Sequence, residues 1–380
     1  MRQTRLRDAM AADVAADLVV VGGGLVGLAT SVGAAERGMS VTLFAVDRPG
    51  AASRAGAGLL VPHYRGEGVH GEVARFMTAA RDQYPAYVRT VEERSGIRIP
   101  LDQSGAIELA SSAAQRAALY DAAPHDAERL TAAAVAEIEP ALAPTAGGVL
   151  YPRDGAVDNM RLTDALASIV ERDPHVRVVR EAAVQVVLDR ASPRVVGAAG
   201  TRAEGRRIVL AAGAWSGDVR GLPRSLPVRP LRGQICTVAT TPLRHVVLGA
   251  DVYMVARRGD RTLIGSTMED VGFDAGTTPA AIERLRRAGA AACPTLGGEP
   301  LLEAWGGLRP ATPDLLPILG VDPTDPRLIY ACGHSRNGIL LAPITAAVTC
   351  AIAAGDAVPW DLAPFAIARF HRGRPTGNRQ

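Results

Sequence analysis

Gly22, Gly24 and Gly27 stand at the spacing G-x-G-x-x-G, a pattern that does chemistry with the backbone alone. Gly22 allows a tight turn. Gly24 has no Cβ, so a pyrophosphate can approach the main chain, and Gly27 lets a helix pack closely on the strand before it. The N–H groups freed at the helix start, with the helix dipole, attract phosphate oxygens. A second glycine-rich turn, Gly333-His334-Ser335-Arg336-Asn337-Gly338, also feeds a helical pattern. Its N–H groups could face an electron-rich ring instead of a phosphate. A third stretch, Ala304-Trp305-Gly306-Gly307-Leu308-Arg309-Pro310, puts an arginine beside a proline after a glycine pair.

The elements that must position these residues are legible around them. Leu18, Val19, Val20 and Val21 form a short apolar run suited to a strand buried on both faces. A helical pattern follows from Leu25 to about Arg37 and is broken by Gly38; Val41–Phe44 reads as a second strand. The glycines therefore sit at the strand-to-helix turn of a βαβ half-unit. One feature departs from the dinucleotide pattern: the acid usually found at the end of the second strand, which holds ribose hydroxyls, is replaced by Ala45. Either Asp47 reaches back, or backbone and water hold the ribose.

Composition sets limits. The chain of 380 residues is long enough for two packed domains, and a hydrophobic content of 48% supports a core. The formal charge of +3 is mild and spread out, so nucleic acid is not an expected partner. Every cation counted is arginine; the absence of lysine excludes a Schiff base to pyridoxal phosphate and a lysine-bearing phosphate loop. The cysteines Cys236, Cys293, Cys332 and Cys350 are widely spaced, which predicts reduced thiols in a cytoplasmic protein. The histidines show no H-x-x-x-H or H-E-x-x-H arrangement, so no metal site is expected. Met1–Ala16 lacks the apolar core of a signal peptide and reads as a frayed extension. The longest apolar run, near Ile339–Ala354, is short for a membrane span and reads as a buried helix.

In chain order, Gly50–His63 is rich in small residues; it is either a second wall of a cofactor site or a flexible loop. The spacing predicts helix from Gly71 to Glu93, strand over Ser104–Ala110, and helices over Ala113–Ala123 and Thr131–Glu139. Gly147–Tyr151 reads as a strand, and Asp154–Asn159 as a turn with Asp158 or Asn159 capping a helix before Leu162–Arg172. Val176–Arg180, Val184–Leu188, Val195–Ala198 and Arg207–Gly213 read as strands, the last ending in small residues, as a strand does beneath a cofactor. Pro227–Thr240 alternates, and Val252–Arg257 and Thr262–Thr267 form a hairpin around Arg258-Gly259-Asp260. Such antiparallel hairpins indicate a second domain covering the cofactor, with a helix at Pro279–Ala291. Leu328–Cys332 is a strand leading into the second glycine-rich turn. A reduced flavin is anionic at its pyrimidine edge, so a helix tip aimed there favours reduction.

At this point the residues resemble a family: the FAD-dependent amino acid oxidases of the D-amino acid oxidase superfamily, nearest to the glycine oxidases of thiamine biosynthesis. The resemblance spans about Asp17 to Phe370. It is carried by Val21–Gly27, Ala55–Leu60, Val209–Ser216 (VLAAGAWS), Val252–Met268, Gly306–Pro310 and Gly333–Pro343 (GHSRNGILLAP). It implies an α/β fold with a discontinuous Rossmann-like FAD-binding domain (14–83, 154–222, 318–372). A mainly antiparallel α+β substrate domain (84–153, 223–317) accompanies it, with flexible tails at 1–13 and 373–380. FAD is implied as a non-covalent cofactor. By position, Leu25 and Val26 would sit by its pyrophosphate, Ala45 and Val46 at the ribose, and Ser53, Ala57, Gly58 and Leu59 along the flavin. Val184 would meet the adenine side, Ala212, Gly213 and Trp215 would lie at the cofactor, and His334, Ser335, Arg336, Asn337, Gly338, Ile339 and Leu340 would wrap the isoalloxazine. Arg309 would bind the substrate carboxylate with Arg336 near it, and Tyr253 and Met268 match pocket positions. Two departures bear on the pocket: Ala256 replaces a common proline, and Asp251 stands where some glycine oxidases place a histidine.

The implied activity is oxidation of glycine or another small amine-bearing carboxylate to the imine by hydride transfer to FAD. O2 is reduced to H2O2, and the imine is hydrolysed or passed to thiazole synthesis. No protein base is required: the enzyme orients the α-carbon and holds the carboxylate, for which a guanidinium offers a planar fork. The competing readings are a D-amino acid dehydrogenase that uses a quinone or other acceptor, and a non-catalytic flavin-binding protein. Residue by residue, Arg309 could instead bridge domains, Arg336 could fix its loop, and Tyr253 could be packing. Met268 is expected to pack, His334 to be a satisfied loop histidine, and Trp215 and Trp305 to lie in the core. No membrane partner is expected, and the sequence leaves homo-oligomerisation open.

Overall fold

Near the N-terminus the strand–turn–helix–strand unit forms as the spacing predicts. In a computed structural model that describes residues 15–63, 70–257 and 259–370, β1 (Ala16–Val21) leads into α1 (Leu25–Glu36) and β2 (Val41–Phe44). Arg258 of the expected hairpin turn, and the expected tails at 1–13 and 373–380, lie outside the described residues.

The apolar run in β1 is continuous because both faces of the strand are covered. Leu18 and Val20 enter one core, Val19 and Val21 another. Side chains alternate across a strand, so double coverage demands an apolar residue at every position. Each such side chain contributes about 1.5–3 kcal/mol when fully buried. β1 pairs in parallel with β2 and with Arg202–Leu210. Val176–Val179 extends the sheet beside β2, and Leu328–Cys332 extends it beside Arg202–Leu210, both in parallel. Ala183–Leu188 and Pro193–Gly197 fold back antiparallel on the start of Arg202–Leu210. Residues of α1, Asn159–Arg172 and Gly338–Ala354 pack over one face of the parallel sheet.

A second sheet of eight strands runs in the order Leu301–Ala311, Arg229–Val238, Arg261–Gly265, Tyr253–Arg257, Val246–Leu248, Ala106–Leu109, Gly148–Tyr151 and Glu128–Leu130. Its pairings are antiparallel, as the hairpins foretold, except that Val246–Leu248 meets Ala106–Leu109 in parallel. The fold is thus mixed α/β, with a parallel nucleotide-type sheet beside a mainly antiparallel one.

Two local readings change, and one open choice is settled. The helix expected over Gly71–Glu93 is two, Gly71–Asp82 and Tyr84–Ser95, because Pro85 lies in the first turn of the second; proline has no N–H and suits only a helix start. Gly155–Val157, read as part of a turn, is a strand between Leu59–Leu60 and Leu101–Asp102. Of the two candidate caps, Asp158 is the cap: its Oδ1 accepts from the Arg161 N–H at 2.9 Å. The four cysteines are free and buried. Among the described residues, no helix is long and apolar enough to cross a membrane.

Gly27 shows how tightly α1 is seated: a Cβ there would lie 1.8 Å from the Gly22 carbonyl oxygen. Gly27→Ala must therefore shift the helix, and we expect it to cost about 1–3 kcal/mol of unfolding free energy. Urea unfolding measures this; an unchanged midpoint would show that the helix has room to spare.

Candidate active site

Between the two sheets lies a cavity of about 510 Å³, within the size range of cofactor and ligand pockets. The first wall is the N-terminal turn: Gly22, Gly24, Leu25 and Val26 all face the cavity. Gly24 is the N-cap of α1, makes no side-chain cap bond, and no acid stands in the first turn. The tip therefore presents partial positive charge to the cavity. The Gly50–His63 stretch is ordered against the site. The Ser53 hydroxyl oxygen accepts from the Leu25 N–H at 2.8 Å, and Ala51 bridges Leu308 of the other sheet. Ser53, Ala57, Gly58 and Leu59 line the cavity, so this stretch is a wall.

The second turn forms another part of the wall. His334, Ser335, Arg336, Asn337, Gly338 and Ile339 line it, and Gly338–Ala354 begins there, with Asn337 as an N-cap that makes no side-chain bond. Two helix tips without acidic caps thus meet one cavity. Ser335 has φ +52, and its N–H donates to the Pro310 carbonyl at 2.9 Å. That bond ties the turn to the residue after Arg309. His334 is buried, with Nε2 at 3.1 Å from the Thr345 hydroxyl. Burial pushes its pKa down to about 4, so the ring is neutral near pH 7, a satisfied loop histidine.

Arg309 comes from the long strand Leu301–Ala311, opposite Leu231 of Arg229–Val238. Its guanidinium lies flat over Gly233, where a Cβ would come within 2.3 Å of both terminal nitrogens. One of these nitrogens donates to the Thr267 carbonyl at 3.0 Å, the other to the Ser266 hydroxyl at 2.5 Å. Burial lowers its pKa, while Tyr253 beside it raises it. Tyr253 in turn lies over Gly265, whose Cβ would meet the ring 2.5 Å away. Among the described residues Arg309 forms no ion pair. A half-buried cation held by neutral oxygens is a receptor for an anion.

Most of the residues named from sequence meet here: Val46, Val184, Ala212, Gly213, Trp215, Tyr253, Met268, Arg309 and Arg336 also line the cavity. Four lie off the wall. Gly27 packs on Gly22, as its helix–strand role requires. Ala45 sits against Gly23, and Leu340 is 1% exposed in the core beneath the turn. Asp47 is exposed and off the wall. Met268, expected to pack, is 57% exposed at the rim. Trp215, expected in the core, is a half-buried cavity wall with the Arg48 guanidinium 4.8 Å over its ring and Phe273 stacked at 5.5 Å. Trp305 is half-buried, and its indole N–H donates to the Ala55 carbonyl at 3.0 Å. The sequence reading missed Gly233, Gly265, Ser266 and Glu181; only the close approach of a side chain reveals the two glycines.

The residues fit FAD: two helix tips without acidic caps, glycines where a ligand must approach backbone, and one cavity that both tips reach. The family model described as FAD dependent oxidoreductase matches residues 17–352. The bifunctional protein ThiO/ThiG of Trichormus variabilis is 34% identical over 95% of this chain and 56% of its own. This chain spans about half the length of such bifunctional relatives. The glycine oxidase of Pseudomonas aeruginosa is 33% identical over 92% of this chain and 98% of its own. The crystal structure of glycine oxidase from Geobacillus kaustophilus superposes with a TM-score of 0.87 at 29% identity, covering 93% of this chain and 98% of that one.

The His334 ring carries a pH prediction. Folded, it takes up a proton only near pH 4, against 6.5 as its ordinary value. Between those values the unfolded chain binds a proton that the folded chain does not. Its contribution is thus fully present above 6.5 and lost as pH falls toward 4, about 3 kcal/mol in all. His334→Gln should flatten the slope of stability between those pH values in urea unfolding; an unaltered slope would contradict the burial assignment.

Proposed function

Since the chain belongs to the FAD-dependent oxidoreductase family, we propose that it oxidises glycine or another small amine-bearing carboxylate to the imine. FAD, when bound, supplies the two-electron acceptor that takes hydride from the α-carbon and passes the electrons to O2, giving H2O2. The protein binds and orients. The single observation that carries this reading is the Arg309 guanidinium, which is half-buried, lines the cavity and has no carboxylate partner among the described residues.

Arg309 would take the substrate carboxylate in its planar fork. Thr267 and Ser266 hold that fork in place, and Gly233 gives it a flat seat. Tyr253 lies alongside, its hydroxyl within reach of the same anion. Orientation of this kind supplies several kcal/mol of a barrier. His334, neutral near pH 7, adds no charge at the turn. Met268 and Asp251 stand on the rim and set which substrates enter. The imine leaves to hydrolyse in water or passes to a second enzyme; relatives that join ThiO to ThiG in one chain support the second route.

The division into an FAD-binding part (14–83, 154–222, 318–372) and a substrate-facing part (84–153, 223–317) belongs to this proposal. The partition of strands between the two sheets supports it, although the helix Tyr84–Ser95 packs into the core beside the parallel sheet. We place the enzyme in the cytoplasm, on the ground that all four thiols are free and buried.

The test is anaerobic mixing with a panel of small amino acids while following flavin absorbance, then admission of air with peroxide detection. Bleaching by glycine or a small homologue, followed by peroxide, is the expected result; reduction without oxygen consumption would point to a dehydrogenase. Arg309→Ala should raise KM for carboxylate substrates about a hundredfold and leave the bound-flavin spectrum intact. Arg309→Lys should fall between, because it keeps the charge and loses the fork. An unchanged KM in the alanine variant would remove Arg309 from the site.

A further inference from the structure

The acid that a dinucleotide fold places at the end of β2 is absent, and the structure shows what stands beside the gap. Ala45 occupies that position, and its N–H donates to the Val179 carbonyl at 2.9 Å. Val179 ends the strand parallel to β2. Two residues on is Glu181, half-buried, whose own N–H donates to the same Val179 carbonyl at 2.9 Å. Glu181 lines the cavity together with Val46 and Val184. Asp47 does not line it.

The carboxylate of Glu181 has a built seat. Oε2 accepts from the Ala199 N–H at 2.5 Å. The side chain lies over Gly197, where any Cβ would come within 2.3 Å of its carboxyl carbon. One such bond leaves a carboxylate with further lone pairs for donors. Two other acids line the cavity, Asp218 and Asp251. Asp251 stands two residues before Tyr253, at the substrate end. Asp218 follows the strand Arg202–Leu210, which lies on the other side of β1 from β2. Glu181 alone of the three hangs from the strand next to β2.

We propose that Glu181 accepts the hydroxyls of the adenosine ribose and so restores, from the neighbouring strand, the contact that β2 lacks. This deepens the FAD reading and rests on it. The chemistry is that of any acid in this role: two vicinal hydroxyls donate to a fixed carboxylate, and a ligand without them leaves that carboxylate short of partners.

The experiment titrates the apoprotein with FAD and with the FAD analogue that lacks both hydroxyls on the adenosine ribose, reading the flavin fluorescence change as Kd. Wild type should bind FAD about ten- to a hundredfold more tightly than the analogue. In Glu181→Ala, FAD affinity should fall to that of the analogue, so that the gap closes; Glu181→Gln should narrow it, and Asp218→Ala should leave it as in wild type. If Glu181 merely supports the turn at Gly197 and Ala199, both ligands weaken together and the gap persists, which overturns the proposal. A wild type that binds both ligands equally overturns it too. Failure of wild type to bind either flavin would overturn the cofactor reading as well, an outcome distinct from a persistent gap.

Discussion

A half-buried guanidinium held by neutral oxygens governs the site. Arg309 has a carbonyl and a hydroxyl as partners and glycine beneath it. Leaving a partly desolvated charge without a counter-ion costs free energy, and a group held rigidly where it meets an anion in use recovers that cost. The surrounding structure supplies the rigidity. Arg309 sits in a strand paired along its length with Arg229–Val238. Its neighbours on either side are bonded to loops of the nucleotide side: the Leu308 N–H donates to the Gly50 carbonyl at 2.8 Å, and the Pro310 carbonyl accepts from the Ser335 N–H at 2.9 Å. The cation is thereby fixed relative to the Gly50–His63 wall and to the second glycine turn.

The two glycine turns that open helices at the cavity do related work by the same means. Each ends a buried parallel strand and opens a helix whose first turn carries no acid and whose cap makes no side-chain bond. Partial positive charge from both tips reaches one cavity, and Arg309 adds a full charge. A site so arranged favours ligands that carry or gain negative charge, which suits a pyrophosphate, a substrate carboxylate and a flavin being reduced. His334 does not enlarge this field, because burial keeps its ring neutral near pH 7.

The division of labour between the sheets follows from their geometry. Parallel strands connected through helices end together at one edge, where glycine turns can reach a ligand by backbone alone. Antiparallel strands present alternate side chains on one face, and such a face can aim Tyr253 and Arg309 at a common point. Their glycine seats, Gly265 and Gly233, lie on strands of the same sheet. The two sheets contribute different chemistry: main-chain donors from one, side-chain recognition from the other.

The sequence by itself determined the parts whose signal is local. The strand–glycine–helix unit, the buried helix after the second turn and the antiparallel hairpins follow from spacing and alternation, because short-range sterics and burial set them. The family resemblance carried Arg309, Tyr253 and most of the cofactor wall to their places. Tertiary structure alone decided the rest. Gly233 and Gly265 look like ordinary strand glycines until a side chain from another strand lies on them. Trp215 reads as core by size, yet it stands as a wall under Arg48. The substitution at Ala45 reads as a loss until the neighbouring strand brings Glu181 alongside. Each depends on contacts between segments distant in sequence, and no local pattern of residues encodes where such segments will meet.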